Sequence, residues 1–128
     1  MGGRGAGKTR AGAEWIGRLA RRGLAQRIAL IGPTFHDVRE VMIEGPSGLR
    51  ANLRERPHYE ASRKRLSWRN GAVAYCFSAE DPEGLRGPQF DAAWADELCF
   101  WTYADETMLT LEHGLRLGQS PRLMVTTT

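Results

Sequence analysis

Gly2-Gly3-Arg4-Gly5-Ala6-Gly7-Lys8-Thr9 reads G-x-x-x-x-G-K-T and opens an amphipathic stretch. Glycines let a backbone curl until successive N–H groups converge on one point. At a helix N-terminus that point favours an anion, because unpaired N–H groups and the helix dipole both face it. In such a phosphate-binding loop Lys8 would reach the β- and γ-phosphates and the Thr9 hydroxyl would hold Mg²⁺. A flexible glycine-rich tail is the competing reading. A phosphate loop normally follows a hydrophobic strand, and here only Met1 precedes it.

The chain has 128 residues, enough for one domain with a core. Hydrophobic content of 41% and charged content of 26% are ordinary for a globular chain, so composition excludes neither an enzyme nor a binding module. The net charge of +3 is compatible with a polyanionic partner without requiring one. Lys8 and Lys64 are the only lysines, and arginine supplies the remaining positive charge. Cys76 and Cys99 sit in apolar settings, and a reduced context is expected. No apolar run approaches transmembrane length, so no membrane role is expected.

A helix is expected from about Lys8 to Arg22, with Ala11, Trp15, Ile16 and Leu19 on its buried face and Gly23 as its stop. Arg27 to Pro33 reads as a buried parallel strand. Thr34 resembles an N-cap with Asp37 three residues on, opening a helix whose apolar face is Val38, Val41 and Met42. Ser47 would cap a second short helix through Leu49, Leu53 and Arg54. Asn70-Gly71 between Glu60–Trp68 and Ala72–Phe77 is a strong hairpin signal. Arg63, Lys64 and Arg65 form the densest basic cluster, a DNA contact or a solvated strand edge. Glu80 to Gln89 is too rich in Gly and Pro for helix or strand. Phe90 to Ala95 is a short apolar run, followed by a helix from about Tyr103 to Leu117 with Met108, Leu109, Leu111 and Leu115 as core candidates. A last strand spans Arg122 to Thr128. Strands alternating with helices indicate an α/β fold with a mainly parallel sheet and one antiparallel hairpin.

An apolar strand ending in Asp96-Glu97 is the second chemical signature. Ligands of open α/β sheets bind beyond the C-terminal ends of strands, where a phosphate loop also points. Asp96 would complete the Mg²⁺ shell and Glu97 would polarise the attacking water. Thr126-Thr127-Thr128 ends another strand with three hydroxyls that could sense a γ-phosphate; β-favourable threonines are more often structural.

Gly2 to Gly12, Gly32-Pro33-Thr34, Gly84 to Asp91, Trp94 to Leu98 and Val125 to Thr128 together resemble the ATPase domain of phage terminase large subunits, of the tailed-phage and gene-transfer-agent-like group. The resemblance spans nearly the whole chain and implies the additional-strand, RecA-like P-loop NTPase fold, a three-layer α/β/α arrangement. It implies ATP and Mg²⁺ as cofactors, double-stranded DNA, a portal protein and a small terminase subunit as partners, a homo-oligomeric ring, and work in the bacterial host cytoplasm at a procapsid portal. Lys8 and Thr9 match its Walker A pair, Asp96 and Glu97 its Walker B pair, and Thr126 to Thr128 its coupling motif. Arg4 matches an arginine acting in cis on the γ-phosphate, and Arg86 is the candidate for action on a neighbour's nucleotide.

The family's adenine-contacting segment, the strand before its P-loop and its nuclease domain have no counterpart in this sequence. The expectations are an incomplete sheet, weak or no nucleotide binding by this chain alone, and no DNA cleavage. Another nucleic-acid-dependent P-loop ATPase, helicase- or recombinase-like, and a non-catalytic truncated prophage remnant are the alternatives.

Overall fold

The structure, a computed structural model, describes residues 3–51, 55–116 and 122–127, and only the backbone of residues 3–6 and 116. Expectations for Gly2, Leu53, Arg54, Leu117 and Thr128 lie outside these residues. The main elements are α1 (Gly3–Arg21), β1 (Arg27–Gly32), α2 (Phe35–Asp37) running into a π-helical turn at Val38–Ile43, β2 (His58–Glu60), β3 (Arg65–Ser67), β4 (Val73–Ser78), β5 (Ala92–Asp96), α3 (Ala104–Arg116) and β6 (Arg122–Thr126). The strands form one six-stranded sheet in the order β2-β3-β4-β1-β5-β6. β4, β1, β5 and β6 run parallel; β2 and β3 are antiparallel additions at one edge.

The sheet is covered on both faces because β1 and β5 are apolar at consecutive positions. Ile28, Leu30, Ala92 and Trp94 pack with Ala13, Ile16 and Leu19 of α1 and with Val38 and Met42. Ala29, Ile31, Ala93 and Ala95 face the other way, against Leu111 and Leu115 of α3 and against Leu85 and Phe90. Three layers result, as expected for an α/β/α fold. Among the described residues no helix is long and apolar enough to cross a membrane.

Helix α1 begins at Gly3 rather than near Lys8, so Gly3 to Gly7 form helical turns and not a curled loop. Each glycine lowers helix stability by only about 1 kcal/mol, and extending an existing helix adds a hydrogen bond per residue. Nothing among the described residues lies within 4 Å of a Cβ placed on Gly7, so no tertiary contact enforces a different path there. The buried stripe runs through Thr9, Gly12, Ala13, Ile16, Leu19 and Ala20; Ala11, expected inside, is exposed, and Trp15 is half-buried. Gly23 ends the helix at φ +72°, with Leu24 N–H donating to Leu19 O at 2.9 Å and Gly23 N–H to Ala20 O at 3.1 Å.

Other expectations shift for local reasons. Thr34 does cap α2, its hydroxyl accepting from Asp37 N–H at 3.1 Å. The π-helical turn that follows widens the spacing, so Ile43 is buried with Val38 and Met42 while Val41 is 40% exposed. The short helix expected after Ser47 is a run of turns as far as Ala51, with Leu49 buried. The hairpin forms between β3 and β4 around Gly71 at φ +97°, and His58–Glu60 adds an edge strand that the sequence reading did not separate. Asn70 ties the hairpin to α1 by donating to Ala20 O at 2.7 Å. Pro82–Leu85 forms one 3₁₀ turn inside the stretch expected to be irregular. In α3, Leu111 and Leu115 are buried but Leu109 is 70% exposed; the inward position belongs to Thr107.

Gly12 marks the closest approach of α1 to the sheet. A Cβ there would lie 2.2 Å from Trp94 Cε2. Gly12→Ala is expected to destabilise the chain by about 1–3 kcal/mol, an overpacking cost. Gly7→Ala is expected to stabilise it by up to about 1 kcal/mol. Urea unfolding midpoints at an unchanged slope test both.

Candidate functional site

A cleft of ≈ 520 Å³ opens where the parallel strands end, and Thr9, Asp96 and Glu97 line it together. Each arrives by a separate route. Thr9 belongs to the buried stripe of α1, one turn before Gly12 and Ala13, so the packing of that stripe turns its side chain toward the sheet. Asp96 is the last residue of β5, and Glu97 follows it. Asp37, Glu40, Val41, Pro46 and Ser47, with Phe100, supply further walls.

Asp96 is only 4% exposed. Parallel pairing sets it opposite Thr126, on the same face of the sheet. Thr126 Oγ1 donates to Asp96 Oδ1 at 2.5 Å, and Trp94 Nε1 donates to Thr126 Oγ1 at 2.7 Å. Trp101 Nε1 donates to the Asp96 carbonyl at 2.9 Å. Burial raises the Asp96 carboxyl above the usual range; the Thr126 hydrogen bond opposes this, and the negative charges of Glu97 and Asp37 add to it. A buried carboxylate held this way gains from a nearby cation.

Glu97 has the left-handed backbone conformation, φ +56° and ψ 47°. A non-glycine residue there costs about 1–2 kcal/mol. Its N–H donates to Thr126 O at 2.7 Å, a bond that extends the β5–β6 ladder while the chain turns away. The turn swings the Glu97 side chain out of the strand alternation and into the cleft wall.

Three sequence-derived site residues thus converge: Thr9, Asp96 and Glu97. Thr126 joins them through Asp96, and Thr127 Oγ1 lies 3.2 Å from Cys99 Sγ. Lys8 is exposed on α1. Gly3, Arg4, Gly5 and Ala6 are described by backbone alone, in helix; Gly2 and Thr128 are outside the described residues. Arg86 is not brought to this cleft. It pairs with Glu83 at 3.2 Å, both side chains exposed, beside a second groove of ≈ 280 Å³ lined by Leu109, Thr110 and His113.

Sequence reasoning missed Asp37, Glu40, Ser47 and Phe100 as cleft residues. The Thr34–Asp37 capping signal was legible, and it holds the Asp37 carboxylate by a 2.9 Å bond from Thr34 Oγ1. That the cap faces the end of β5 is a tertiary fact. Asp91, in the same stretch as Asp96, is structural: its Oδ2 accepts from the N–H groups of Gln26 and Arg27 at 2.9 and 3.0 Å.

The basic cluster is largely satisfied internally. Arg65 pairs with Glu60 at 2.9 Å and Arg63 approaches it at 3.9 Å. The hydrogen bond from Arg65 holds the Glu60 carboxyl below its ordinary value. The Lys64 ammonium sits 3.8 Å from the centre of the Phe35 ring. Cys76 is buried, its thiol pushed up to about 12 by burial, and Cys99 is exposed; both are free.

A family model described as terminase large subunit, T4likevirus-type, N-terminal, matches residues 1–128. No curated protein matches the chain. Among solved structures, an arginine-to-alanine mutant of the Thermus phage P74-26 large terminase ATPase domain superposes with a TM-score of 0.68 at 16% identity, covering 98% of this chain and 56% of that one. The same phage's ATPase domain without that mutation gives 0.62 at 17% identity, with the same coverage of 98% and 56%. The large terminase of a thermophilic bacteriophage gives 0.60 at 15% identity, covering 80% of this chain and 26% of that one. At such identities the likeness is one of fold, and the chain spans 26% to 56% of these structures' lengths. With a family model matching its whole length and the fold of phage terminase ATPase domains, this chain belongs to the terminase large subunits.

Proposed function

We propose that this chain is the ATP-hydrolysing part of a motor that moves double-stranded DNA into a phage procapsid. The observation that carries the reading is the meeting of Thr9, Asp96 and Glu97 on one cleft at the C-terminal end of a parallel sheet. Among the described residues no cluster of three or more His, Cys, Asp or Glu could hold a metal ion. One hydroxyl and one carboxylate fit Mg²⁺, which takes few protein oxygens and completes its shell with waters and phosphate.

Thr9 and Asp96 would hold Mg²⁺ and Lys8 the phosphates; bound there, the ion neutralises phosphate charge and eases departure of the leaving oxygen. Glu97 orients the attacking water and accepts its proton at the carboxylate. The left-handed turn at Glu97 keeps that carboxylate beside Asp96 without placing it in the strand. Residues Gly3 to Gly7 must leave the helix to curl around phosphates, a change that costs little in a glycine-rich segment. In this reading Arg4, within the same glycine-rich segment, would act in cis, and Arg86, exposed and away from this cleft, is suited to a neighbouring subunit of a ring. Thr126 to Thr128 pass changes at Asp96 to β6 and so to the coupling of hydrolysis with movement. A portal protein and a small terminase subunit are the partners of this reading, in the host cytoplasm.

With the protein expressed from its full reading frame, Lys8→Ala and Glu97→Gln are each expected to lower ATP turnover at least about 100-fold with thermal midpoints unchanged. Wild-type turnover in both overturns the reading. Stimulation by procapsids rather than by single-stranded DNA separates a packaging motor from a helicase.

Asp96→Asn separates stability from activity. The folded-state carboxyl of Asp96 is raised, so the folded state binds more protons than the unfolded state above about pH 3.9, and ionisation lowers stability as pH rises from there to the folded value. The variant is therefore expected to melt higher than wild type at pH 7.5, to converge with it below about pH 4, and to lack Mg²⁺-dependent turnover. Melting curves across pH measure this; a variant less stable at pH 7.5 contradicts it.

A further inference from the structure

We propose that Trp94 is a positioning residue that sets the metal-binding geometry of the cleft through Thr126, resting on the reading of Thr9 and Asp96 given above. Trp94 is completely buried and its bulk alone would suit a core position. Its indole N–H, however, is spent on a side chain that touches the site: Nε1 donates to Thr126 Oγ1 at 2.7 Å.

Hydrogen-bond chemistry gives this bond a direction. An indole nitrogen only donates, so Thr126 Oγ1 must accept from it. The hydroxyl's single proton then remains for Asp96 Oδ1, 2.5 Å away, the distance of a charge-assisted bond to a carboxylate. Trp94 thereby occupies the hydroxyl's acceptor side and reinforces the orientation that donates to Asp96. Thr126 in turn orients Asp96, and all three side chains lie on one face of paired strands, since Asp96 sits opposite Thr126 and Trp94 opposite Met124.

The same nitrogen-bearing edge of the indole lies against α1. A Cβ at Gly12 would lie 2.2, 2.5 and 2.5 Å from three atoms of the Trp94 ring, so the helix backbone lies directly on the ring. Thr9 is three residues before Gly12 on the same buried stripe. Trp94 is therefore the spacer between the helix that carries one metal-binding oxygen and the strand that carries the other. Movement of α1 toward or away from the sheet reaches Asp96 and β6 through one ring and one hydroxyl.

The test uses the protein from its full reading frame and Mg²⁺ titrations of ADP binding by calorimetry, alongside Mg²⁺ dependence of turnover. Trp94→Phe keeps an aromatic side chain in the core and removes the N–H together with ring atoms nearest Gly12; Thr126→Val keeps the volume and removes the hydroxyl. Each is expected to raise the Mg²⁺ concentration for half-saturation by roughly 10–100-fold, the range for residues that orient a metal's ligands. The double variant is expected to lose no more than either single one. Thr126→Ser, which retains the hydroxyl, is expected to recover most of the affinity that Thr126→Val loses. A purely structural role for Trp94 would lower the melting temperature and leave the Mg²⁺ dependence in place. Unchanged Mg²⁺ dependence in Thr126→Val overturns the relay even where Trp94→Phe fails to fold, as do additive losses in the double variant. Absence of Mg²⁺-dependent ADP binding by the wild-type protein overturns the nucleotide-site reading itself; normal wild-type binding with insensitive variants overturns the relay alone.

Discussion

A carboxylate buried at the end of a central strand is the constraint on which the cleft depends. Asp96 has little water to stabilise its charge, and Glu97 and Asp37 add negative potential nearby. A hydroxyl from β6 and the backbone N–H of Glu97 offset part of that cost. A cation bound beside Asp96 would offset the remainder, as would a proton on the carboxyl. Under the proposed reading, a ligand that binds the folded chain at Asp96 would stabilise it through that one residue.

The surrounding architecture follows from keeping that carboxylate in place. Ala92, Ala93 and Ala95 make β5 thin, so helices on both faces come close. Trp94 fills the space under α1, and Gly12 removes the one side chain that would hold the helix off. Trp101 closes the end of the strand by binding the Asp96 carbonyl, and the left-handed turn at Glu97 starts there. The backbone strain at Glu97 falls where the chain must leave the sheet and still present a carboxylate to the cleft.

Much of this was legible from sequence patterns with a local cause. The apolar run at Arg27–Gly32, the Asn70-Gly71 turn, the Thr34 cap and the carboxylates after Ala95 each carry their reason within a few residues. What escaped depends on partners distant in sequence. Val41 and Leu109 fit a regular helical period, but a π-helical turn rotates the first outward and α3 turns Thr107 inward in place of the second. The β2 strand is three residues long and defined only by its pairing with β3. Trp94 read as apolar bulk because its donor finds a partner 32 residues away. The glycine-rich opening was expected as a loop, yet glycine permits either path, and local sequence does not decide between them.

That opening is also where the account is most directly tested. A crystal structure of the protein with Mg²⁺ and an ADP–metal fluoride complex is expected to find residues 3–7 drawn out of α1 around the phosphates. In it the Thr9 hydroxyl and Asp96 complete the Mg²⁺ shell, directly or through a water, and Glu97 faces the position of the attacking water. A nucleotide bound elsewhere, with residues 3–7 still helical and Asp96 remote from the metal, would contradict the assignment of this cleft.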